Sequence, residues 1–228
     1  MDAIILAGGR GTRLKPLTDY IPKPLIPVNN VPIIEWQIRY LKKFGVDRII
    51  ISTGYKARQI EDYLEKKKGF GSKILFSIEK SPLGTGGAIK KAAKMISGDS
   101  FLVLNGDVIT NIDIRQLYKK KDSIALVELK TKYGTVSIQN DMITEFREKK
   151  SVPGIWMNAG IYHLDRNTVS KLPANGAIEK TTFLRYAKEG RLNGIKFADS
   201  FWFSIDSHKD LEDCSETLSL KKHRGFAR

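Results

Sequence analysis

The sequence of 228 residues contains a single cysteine, Cys214, and three scattered histidines. An intramolecular disulfide is therefore excluded, and so is a metal site built from several cysteines, which agrees with a reducing compartment. Zinc sites draw mainly on cysteine and histidine, so any bound metal is expected to be held mostly by oxygen ligands.

Long hydrophobic runs are also missing, since no apolar stretch approaches the roughly 18 residues needed to span a bilayer. The opening segment Met1-Asp2-Ala3-Ile4-Ile5-Leu6 is apolar, but it carries an acidic residue and leads directly into glycines. An export signal has a basic start and a longer apolar centre. We therefore predict a cytoplasmic protein that makes no membrane contact.

The charge balance is strongly basic: 39 Lys and Arg residues against 25 Asp and Glu residues give a formal net charge of +14. Such a field attracts anions, and nucleic acids and phosphorylated metabolites both qualify. Nucleic-acid binders usually interleave basic with exposed aromatic residues or contain a known module. Here the basic residues follow helix-like stretches such as 90–94, which is typical of solvated helix faces. Phosphorylated metabolites are the favoured partners, and nucleic acid is not expected.

In the first half of the chain, apolar β-branched runs alternate with amphipathic stretches of helix length. This order predicts an α/β fold with a mostly parallel, Rossmann-like sheet and helices on both faces. The predicted strands are 3–6, 47–53, 73–79 and 101–104, and the predicted helices are 33–44, 57–67 and 86–97. Sheets of this kind bind ligands at the carboxyl ends of their strands.

The second half has closely spaced strand-like runs separated by turn residues, which predicts hairpins layered beside the parallel core. The predicted strands are 123–129, 134–139, 142–145, 159–163 and 194–197, and the predicted helices are 114–120, 181–189 and 208–219. Because the length suits one core and no low-complexity linker interrupts it, we expect a single domain.

A glycine-rich loop with Gly8, Gly9 and Gly11 follows the first predicted strand. Glycine allows backbone N–H groups to approach an anion closely, so the loop favours a phosphate. It does not match the P-loop, which needs Gly-Lys followed by Ser or Thr, nor the dinucleotide fingerprint, in which a small residue stands where this chain has Leu14. An ordinary tight turn is the alternative interpretation.

Two cations lie near this loop in the sequence. Arg13 follows Thr12, and Lys23 stands between Pro22 and Pro24, which restrict the local backbone. Together the two charges would balance much of a triphosphate. The competing interpretation is that Lys23 is a surface lysine.

Two aspartates stand where strand-like runs end. Asp107 follows the predicted strand 101–104, and Asp206 follows the aromatic run 201–205. Mg²⁺ prefers one or two carboxylates together with phosphate oxygens and water, so these aspartates are the candidate ligands of a magnesium ion. The alternatives are a turn-forming role for Asp107 and capping of the last helix by Asp206.

The loop and its surroundings consist of three stretches: Leu6-Ala7-Gly8-Gly9-Arg10-Gly11-Thr12-Arg13-Leu14, Lys15-Pro16-Leu17-Thr18, and Ile21-Pro22-Lys23-Pro24-Leu25-Ile26-Pro27-Val28. Together they resemble the signature of the sugar-nucleotide pyrophosphorylases, the NTP-transferase family. The resemblance implies a GT-A-like nucleotidyltransferase fold with a nucleotide-binding half at 1–112, an antiparallel sugar-phosphate-binding half at 113–218 and a basic tail at 219–228. It also implies that an NTP and a sugar 1-phosphate react to give an NDP-sugar and pyrophosphate, in a monomer or small homo-oligomer.

The resemblance also assigns roles to single residues. Arg13, Lys23 and Asp107 become the catalytic residues, and Asp107 and Asp206 together hold Mg²⁺. The predicted nucleotide-binding residues are Leu6, Ala7, Gly8, Gly9, Gly11, Thr12, Arg13, Lys23, Pro82, Gly84, Thr85 and Asn105.

On the acceptor side, the resemblance points to Gly134, Glu148, Lys149, Asn158 and Glu179 as sugar-phosphate-binding residues. One departure is visible, because the family's Glu-Lys pair is usually followed by proline, whereas Lys150 follows Lys149 here. The register at Lys149 therefore stays open, and a solvated lysine is the alternative.

The segment 81–89 lies between a predicted strand and a predicted helix, where the resembling enzymes place the nucleobase. Its Leu-Gly-Thr-Gly-Gly-Ala-Ile run is similar to guanylyltransferases for mannose 1-phosphate and heptose 1-phosphate, and uridylyltransferases for N-acetylmuramic acid 1-phosphate have a related version. The Gln-rich version of thymidylyltransferases is absent, so GTP is favoured and UTP is second. A non-catalytic nucleotide-sugar-binding regulatory protein stays open as a different class, because a fold does not guarantee a function.

Overall fold

The computed structural model describes residues 1–131, 133–148 and 151–219. The strands are β1 (Asp2–Ala7), β2 (Pro27–Val28), β3 (Val31–Pro32), β4 (Arg48–Thr53), β5 (Lys73–Ile78), β6 (Ser100–Asn105), β7 (Val108–Thr110), β8 (Ser123–Lys130), β9 (Thr135–Gln139), β10 (Met142–Arg147), β11 (Ser151–Asp165), β12 (Asn193–Lys196) and β13 (Trp202–Ser204). The α-helices are α1 (Leu17–Tyr20), α2 (Ile33–Lys43), α3 (Ala57–Lys66), α4 (Gly84–Ala92), α5 (Thr182–Lys188) and α6 (His208–Ser219). Shorter 3₁₀ helices cover Thr12–Leu14, Lys23–Leu25, Lys68–Gly71, Ala93–Met95, Ile114–Lys119 and Arg166–Lys171. Among the helices of these described ranges, none has both the length and the apolar content that a membrane crossing requires.

A seven-stranded sheet with the order β12-β8-β11-β6-β1-β4-β5 forms the centre of the molecule. β1 pairs in parallel with β4 and β6, β4 pairs in parallel with β5, and β8 pairs in parallel with β12. β11 runs against both of its neighbours, β6 and β8. The predicted α/β fold with a mostly parallel sheet is therefore confirmed.

Helices cover both faces of this sheet because successive side chains of a strand point to opposite sides. On one face, Ile5 of β1 belongs to the same buried cluster as Ile38 of α2 and Ile60 of α3. On the other face, Ile4 belongs to a cluster with Ile89 of α4 and Phe183 of α5. Burial on both faces explains why the strands appear in the sequence as continuous apolar runs without alternation.

The second half differs from the prediction in its layering. β8 and β11 join the central sheet, whereas a layer of hairpins beside the core was predicted from their close spacing. β9 and β10 do form a separate hairpin, and Asn140 and Asp141 at its turn have φ values of 48° and 62°. Such positive φ values are typical of the tight turns that match the twist of a hairpin.

Two other elements also depart from the expected bounds. Residues 114–119 form a 3₁₀ helix, whereas a regular helix was predicted, because extended backbone at Lys120 ends the segment before it has the length that favours i→i+4 bonding. β11 covers fifteen residues although only 159–163 were expected. Register shifts against β8 between Ser151 and Trp156 and between Asn158 and Tyr162 bend this strand and obscure its pattern in the sequence.

Two short strands connect distant parts of the chain. β7 and β13 pair antiparallel, with Trp202 opposite Thr110 and Ser204 opposite Val108. The pairing continues past the strands, where the Ile205 N–H donates to the Asp107 carbonyl at 2.9 Å. The residues that follow β6 and those that follow β13 therefore lie side by side.

Candidate active site

A pocket of about 420 Å³ opens at the carboxyl edge of the central sheet, where β1, β5 and β6 end. From β1, the sheet extends through β4 to β5 on one side, and β6 lies on the other side. A crevice forms where the strand order reverses in this way. The lining residues are Leu6, Ala7, Gly8, Gly9, Gly11, Thr12, Arg13, Lys23, Pro24, Glu79, Pro82, Gly84, Thr85, Ala88, Asn105, Gly106, Asp107 and Asp206. The fold thus brings together every predicted nucleotide-binding residue and both predicted metal ligands.

The glycine loop folds against the segment that carries Lys23. Gly11 has φ 61°, in the left-handed region that favours glycine. A Cβ at Gly11 would lie 3.0 Å from Thr18 Cγ2 and 3.1 Å from Lys23 Cβ. The Gly11 carbonyl accepts a hydrogen bond from Thr18 Oγ1 at 3.1 Å. Close packing at Gly11 therefore fixes where the side chain of Lys23 begins.

The Lys23 ammonium lies between the two aspartates. Its Nζ is 2.7 Å from Asp107 Oδ2 and 2.8 Å from Asp206 Oδ1. Arg13 Nη2 is 3.0 Å from the same Asp206 oxygen. The Lys23 side chain is only 13% exposed, so water screens these charges weakly. The surface-lysine interpretation does not fit this position.

The carboxylate of Asp206 faces the pocket and does not cap α6. The helix begins with a reciprocal pair, in which Ser207 Oγ accepts from the Asp210 N–H at 3.3 Å and Asp210 Oδ2 accepts from the Ser207 N–H at 2.8 Å. Burial raises the pKa of Asp206, but the hydrogen bond and charge of Lys23, helped by Arg13, outweigh burial and leave this pKa below its usual value. Asp206 is therefore held in its ionised form.

Asp107 offers a free ligand atom. Its Oδ1 is buried, and among the described residues it has no hydrogen-bond partner. A hard cation that takes one or two carboxylates would satisfy this oxygen. The described part of the chain has no group of three or more His, Cys, Asp or Glu side chains that could hold a metal. A metal at Asp107 and Asp206 would therefore take its other ligands from bound phosphate and water.

Glu79 is a pocket residue that was not predicted from the sequence. It directly follows β5, and its carboxylate accepts hydrogen bonds from Ser52 Oγ at 3.1 Å and from the Leu83 N–H at 3.0 Å. It lies against the glycine loop, since a Cβ at Gly8 would come within 2.6 Å of Glu79 Oε1. An acidic residue at the carboxyl end of a predicted parallel strand was the signal that could have identified it.

Two predicted acceptor residues, Asn158 and Glu179, belong to one hydrogen-bonded network. Asn158 Nδ2 donates to the Tyr162 hydroxyl at 3.0 Å, and this hydroxyl donates to Glu179 Oε1 at 3.2 Å. Thr85 Oγ1 donates to Glu179 Oε2 at 2.6 Å and accepts from the Ile178 N–H at 2.9 Å. The Thr85 hydroxyl thus donates its proton within the protein. Toward a ligand, the main hydrogen-bond donor of Thr85 is therefore its backbone N–H.

The remaining predicted acceptor residues lie at the base of the β9–β10 hairpin or outside the described residues. A Cβ at Gly134 would come within 2.7 Å of the Phe146 ring and 2.9 Å of Glu148 Oε2, so Gly134 and Glu148 are neighbours. Lys149 lies outside the described residues, as does the basic tail beyond Ser219.

The sequence is similar to known proteins over most of its length. The family model of the nucleotidyl transferases matches residues 2–220. The D-glycero-α-D-manno-heptose 1-phosphate guanylyltransferase of Campylobacter jejuni is 39% identical over 194 residues, which cover 83% of this chain and 86% of that protein. The mannose-1-phosphate guanylyltransferase catalytic subunit beta of Xenopus tropicalis is 35% identical over 225 residues, covering 92% of this chain and 62% of that protein.

A similar fold is found among solved structures. HddC from Yersinia pseudotuberculosis, in a crystal structure with GMP-PN, superposes with a TM-score of 0.75 at 32% sequence identity. The alignment covers 96% of this chain and 99% of that chain. Sequence and fold therefore point to the same family over almost the whole described chain.

Proposed function

Because the chain belongs to the nucleotidyl transferase family, we propose that it transfers a guanylyl group from GTP to a sugar 1-phosphate of manno configuration and releases pyrophosphate. The two relatives compared above are guanylyltransferases for a manno-heptose 1-phosphate and for mannose 1-phosphate. A cytoplasmic location is part of the proposal, since the single cysteine suits a reducing compartment.

Glu79 is the observation that favours GTP over UTP. Guanine presents its N1–H and N2–H donors side by side, and a carboxylate can accept both. Uracil has carbonyl oxygens on both sides of its single N–H, so a carboxylate would face two like partial charges. Ser52 and Leu83 each use one acceptor position of Glu79, and an ionised carboxylate has about four. Glu79 therefore keeps capacity for a base.

The order of residues along the sheet edge supports the same assignment. Glu79 follows β5, the glycine loop follows β1, and Asp107 follows β6. β5 and β6 are three strands apart. Because neighbouring strands are about 4.8 Å apart, this separation is about 14 Å, which suits a base, a ribose and an α-phosphate laid along the edge. The base would lie near Glu79 and the reacting phosphorus near Asp107.

In the proposed reaction, an oxygen of the sugar 1-phosphate attacks the α-phosphorus in line, and the bond from that phosphorus to the β-phosphate oxygen breaks. This nucleophile is already anionic at neutral pH, so the protein acts by positioning and charge neutralisation and needs no general base. Arg13 stabilises the leaving pyrophosphate and Lys23 the α-phosphate, and Lys149 is assigned to the incoming phosphate. Mg²⁺ held by Asp107 and Asp206 would neutralise phosphate charge and align the reactants.

A substrate matrix tests this proposal. The four nucleoside triphosphates are combined with mannose, manno-heptose, glucose and N-acetylmuramic acid 1-phosphates in the presence of Mg²⁺, and pyrophosphate release is measured. We expect the highest kcat/KM with GTP and a manno-configured acceptor. Equal or faster turnover with UTP would overturn the base assignment. If no combination releases pyrophosphate, the result would favour the alternative that the chain is a non-catalytic regulatory protein.

The variant Glu79→Gln isolates the contribution of the carboxylate. A hydrogen bond to a charged group contributes about 1.5–3 kcal/mol, so kcat/KM for GTP should fall roughly 10- to 150-fold while the ratio of UTP to GTP activity rises. The matched control is Glu65→Gln at an exposed position of α3, which should leave both values unchanged. An unchanged GTP preference in Glu79→Gln would contradict the role of Glu79.

A further inference from the structure

Tyr162 lies beneath the predicted acceptor residues. Its side chain has no exposed surface, and its ring packs edge-on against Phe183 with centroids 5.0 Å apart. It is on β11 opposite Val103 of β6, inside the central sheet. A side chain this deeply buried does not touch a ligand in the pocket, so any effect on substrate must pass through its neighbours.

The Tyr162 hydroxyl interacts with side chains that are assigned to the sugar phosphate and with one that is assigned to the nucleotide. It accepts from Asn158 Nδ2 at 3.0 Å and donates to Glu179 Oε1 at 3.2 Å. Burial raises the pKa of this hydroxyl well above its usual value, and the side chain of Asn105 is close enough to lower that pKa in part. Asn158 and Glu179 are the candidate sugar-binding residues, and Asn105 lines the nucleotide pocket. The hydroxyl therefore links the two sides of the site.

Each of the two acceptor residues has one polar atom fixed elsewhere. Asn158 Oδ1 accepts from the Gly160 N–H at 2.8 Å, and Glu179 Oε2 accepts from Thr85 Oγ1 at 2.6 Å. The Tyr162 hydroxyl fixes the other atom of each group. Without this hydroxyl, the Asn158 amide and the Glu179 carboxylate would each be held at a single point and could rotate.

We propose that Tyr162 is a positioning residue for the sugar 1-phosphate, whose buried hydroxyl sets the orientation of Asn158 and Glu179. The inference rests on the proposed function, in which these two side chains contact the sugar. Discrimination between sugar hydroxyl configurations requires donors and acceptors held at fixed angles, and buried hydrogen bonds behind the contacting groups supply that rigidity. Tyr162 thus contributes to acceptor selectivity without touching the acceptor.

The test is the variant Tyr162→Phe, which removes one oxygen and keeps the ring that packs on Phe183. Tyr186→Phe is the matched control, because Tyr186 is also buried and its hydroxyl lies 3.2 Å from Thr168 Oγ1, away from the pocket. For Tyr162→Phe we expect KM for the sugar 1-phosphate to rise about tenfold, KM for the nucleotide to stay within twofold, and selectivity for mannose over glucose 1-phosphate to fall. Both variants should lose comparable stability in urea unfolding.

A double-mutant cycle with Asn158→Ala distinguishes positioning from general destabilisation. If Tyr162 acts through Asn158, the double variant should lose much less sugar affinity than the sum of the single losses. Additive losses, or kinetics of Tyr162→Phe that match those of Tyr186→Phe in an active enzyme, would overturn the inference. Inactivity of the unmodified protein with every substrate pair would instead contradict the proposed function. In that case, calorimetric titration with mannose 1-phosphate would measure how the sugar affinity differs between the unmodified protein and the variants, without any need for turnover.

Discussion

Replacing Lys23 with methionine would remove the positive charge between Asp107 and Asp206 while keeping the aliphatic length of the side chain. The Lys23 ammonium is 2.7 Å from one carboxylate and 2.8 Å from the other. Arg13, 3.0 Å from Asp206 but with a side chain 73% exposed, is too solvated to replace it. We therefore expect Lys23→Met to leave two neighbouring carboxylates without an adequate counter-charge and so to destabilise the fold.

The size of the effect follows from the exposure of the three groups. Removing one partner of an exposed ion pair changes stability by about 0–1 kcal/mol, and removing one partner of a buried pair costs about 3–5 kcal/mol. The Lys23 side chain is 13% exposed, and those of Asp107 and Asp206 are 24% and 26% exposed. The site lies between the two limits, so the expected loss at pH 7 is about 2 kcal/mol. For a chain of this size, that corresponds to a fall in Tm of about 4–8 °C.

The pH dependence has a definite sign. Burial raises the pKa of Asp206, but the hydrogen bond and charge of Lys23, together with the charge of Arg13, lower it by more, so that it lies below its usual value in the folded protein. A group with a depressed folded-state pKa adds stability above its unfolded-state pKa, and this stability is lost as the pH falls through the folded-state pKa. The difference between wild type and Lys23→Met should therefore be full at pH 7 and shrink below about pH 4, near the ordinary pKa of aspartate.

Urea unfolding followed by circular dichroism at pH 7 and pH 3.5 would measure both parts of this prediction. Lys121→Met is the control, since Lys121 contacts Asp165 at 2.7 Å but is 66% exposed and should have a much smaller effect. Mg²⁺ should stabilise Lys23→Met more than wild type, because a dication at the two aspartates would no longer compete with the ammonium. Unchanged stability at pH 7, or a difference that persists undiminished at pH 3.5, would refute the reasoning.

Two further substitutions test the pocket. Asp107→Asn should lower pyrophosphate release in the presence of Mg²⁺ by at least about a hundredfold, because in the proposed reaction it removes a charge that holds Mg²⁺ beside the reacting phosphate, while circular dichroism stays unchanged; full activity would contradict the metal assignment. Gly106→Ala should lose about 2–4 kcal/mol in urea unfolding, because its Cβ would lie 2.2 Å from the Leu6 carbonyl oxygen and disturb the 3.0 Å hydrogen bond from the Gly106 N–H to that oxygen. Wild-type stability of Gly106→Ala would show that the backbone relaxes there.

The parallel core could be predicted because its signal is local. The run Ile49-Ile50-Ile51 of β4 is buried on both faces, and a continuous β-branched run is what such a strand requires. The positions of the glycine loop and of Asp107 follow from the same pattern, because both come directly after predicted parallel strands. Knowledge of the strand ends was therefore enough to place these groups at one edge of the sheet.

The proximity of Asp107 and Asp206, which both contact the Lys23 ammonium, could not be derived from a local pattern. It depends on the pairing of β7 with β13, two strands of three residues each that lie far apart in the sequence. Strands this short have no periodicity of their own, and sequence spacing carries no information about their partner. The position of the Lys23 ammonium between the two carboxylates depends on the same pairing, so the sequence predicted a cation near the loop but not its bridging contacts.

The reversed strand β11 brings regular structure to the predicted acceptor side of the pocket. Ile161 of β11 pairs with Leu104 of β6, and β6 ends one residue later at Asn105. Because β11 runs antiparallel, the part of β11 before Gly160 extends beyond the carboxyl edge of β6 and brings Asn158 to the same edge as Asp107.

A parallel strand would end at this edge and could offer only a loop there. Asn158 is instead held by pairing with Leu126 of β8 and by the Tyr162 hydroxyl, so a rigid element presents it. This rigidity suits the proposed recognition of sugar hydroxyl groups, whereas a glycine loop that binds phosphate through its backbone, as proposed here, would need no such strand.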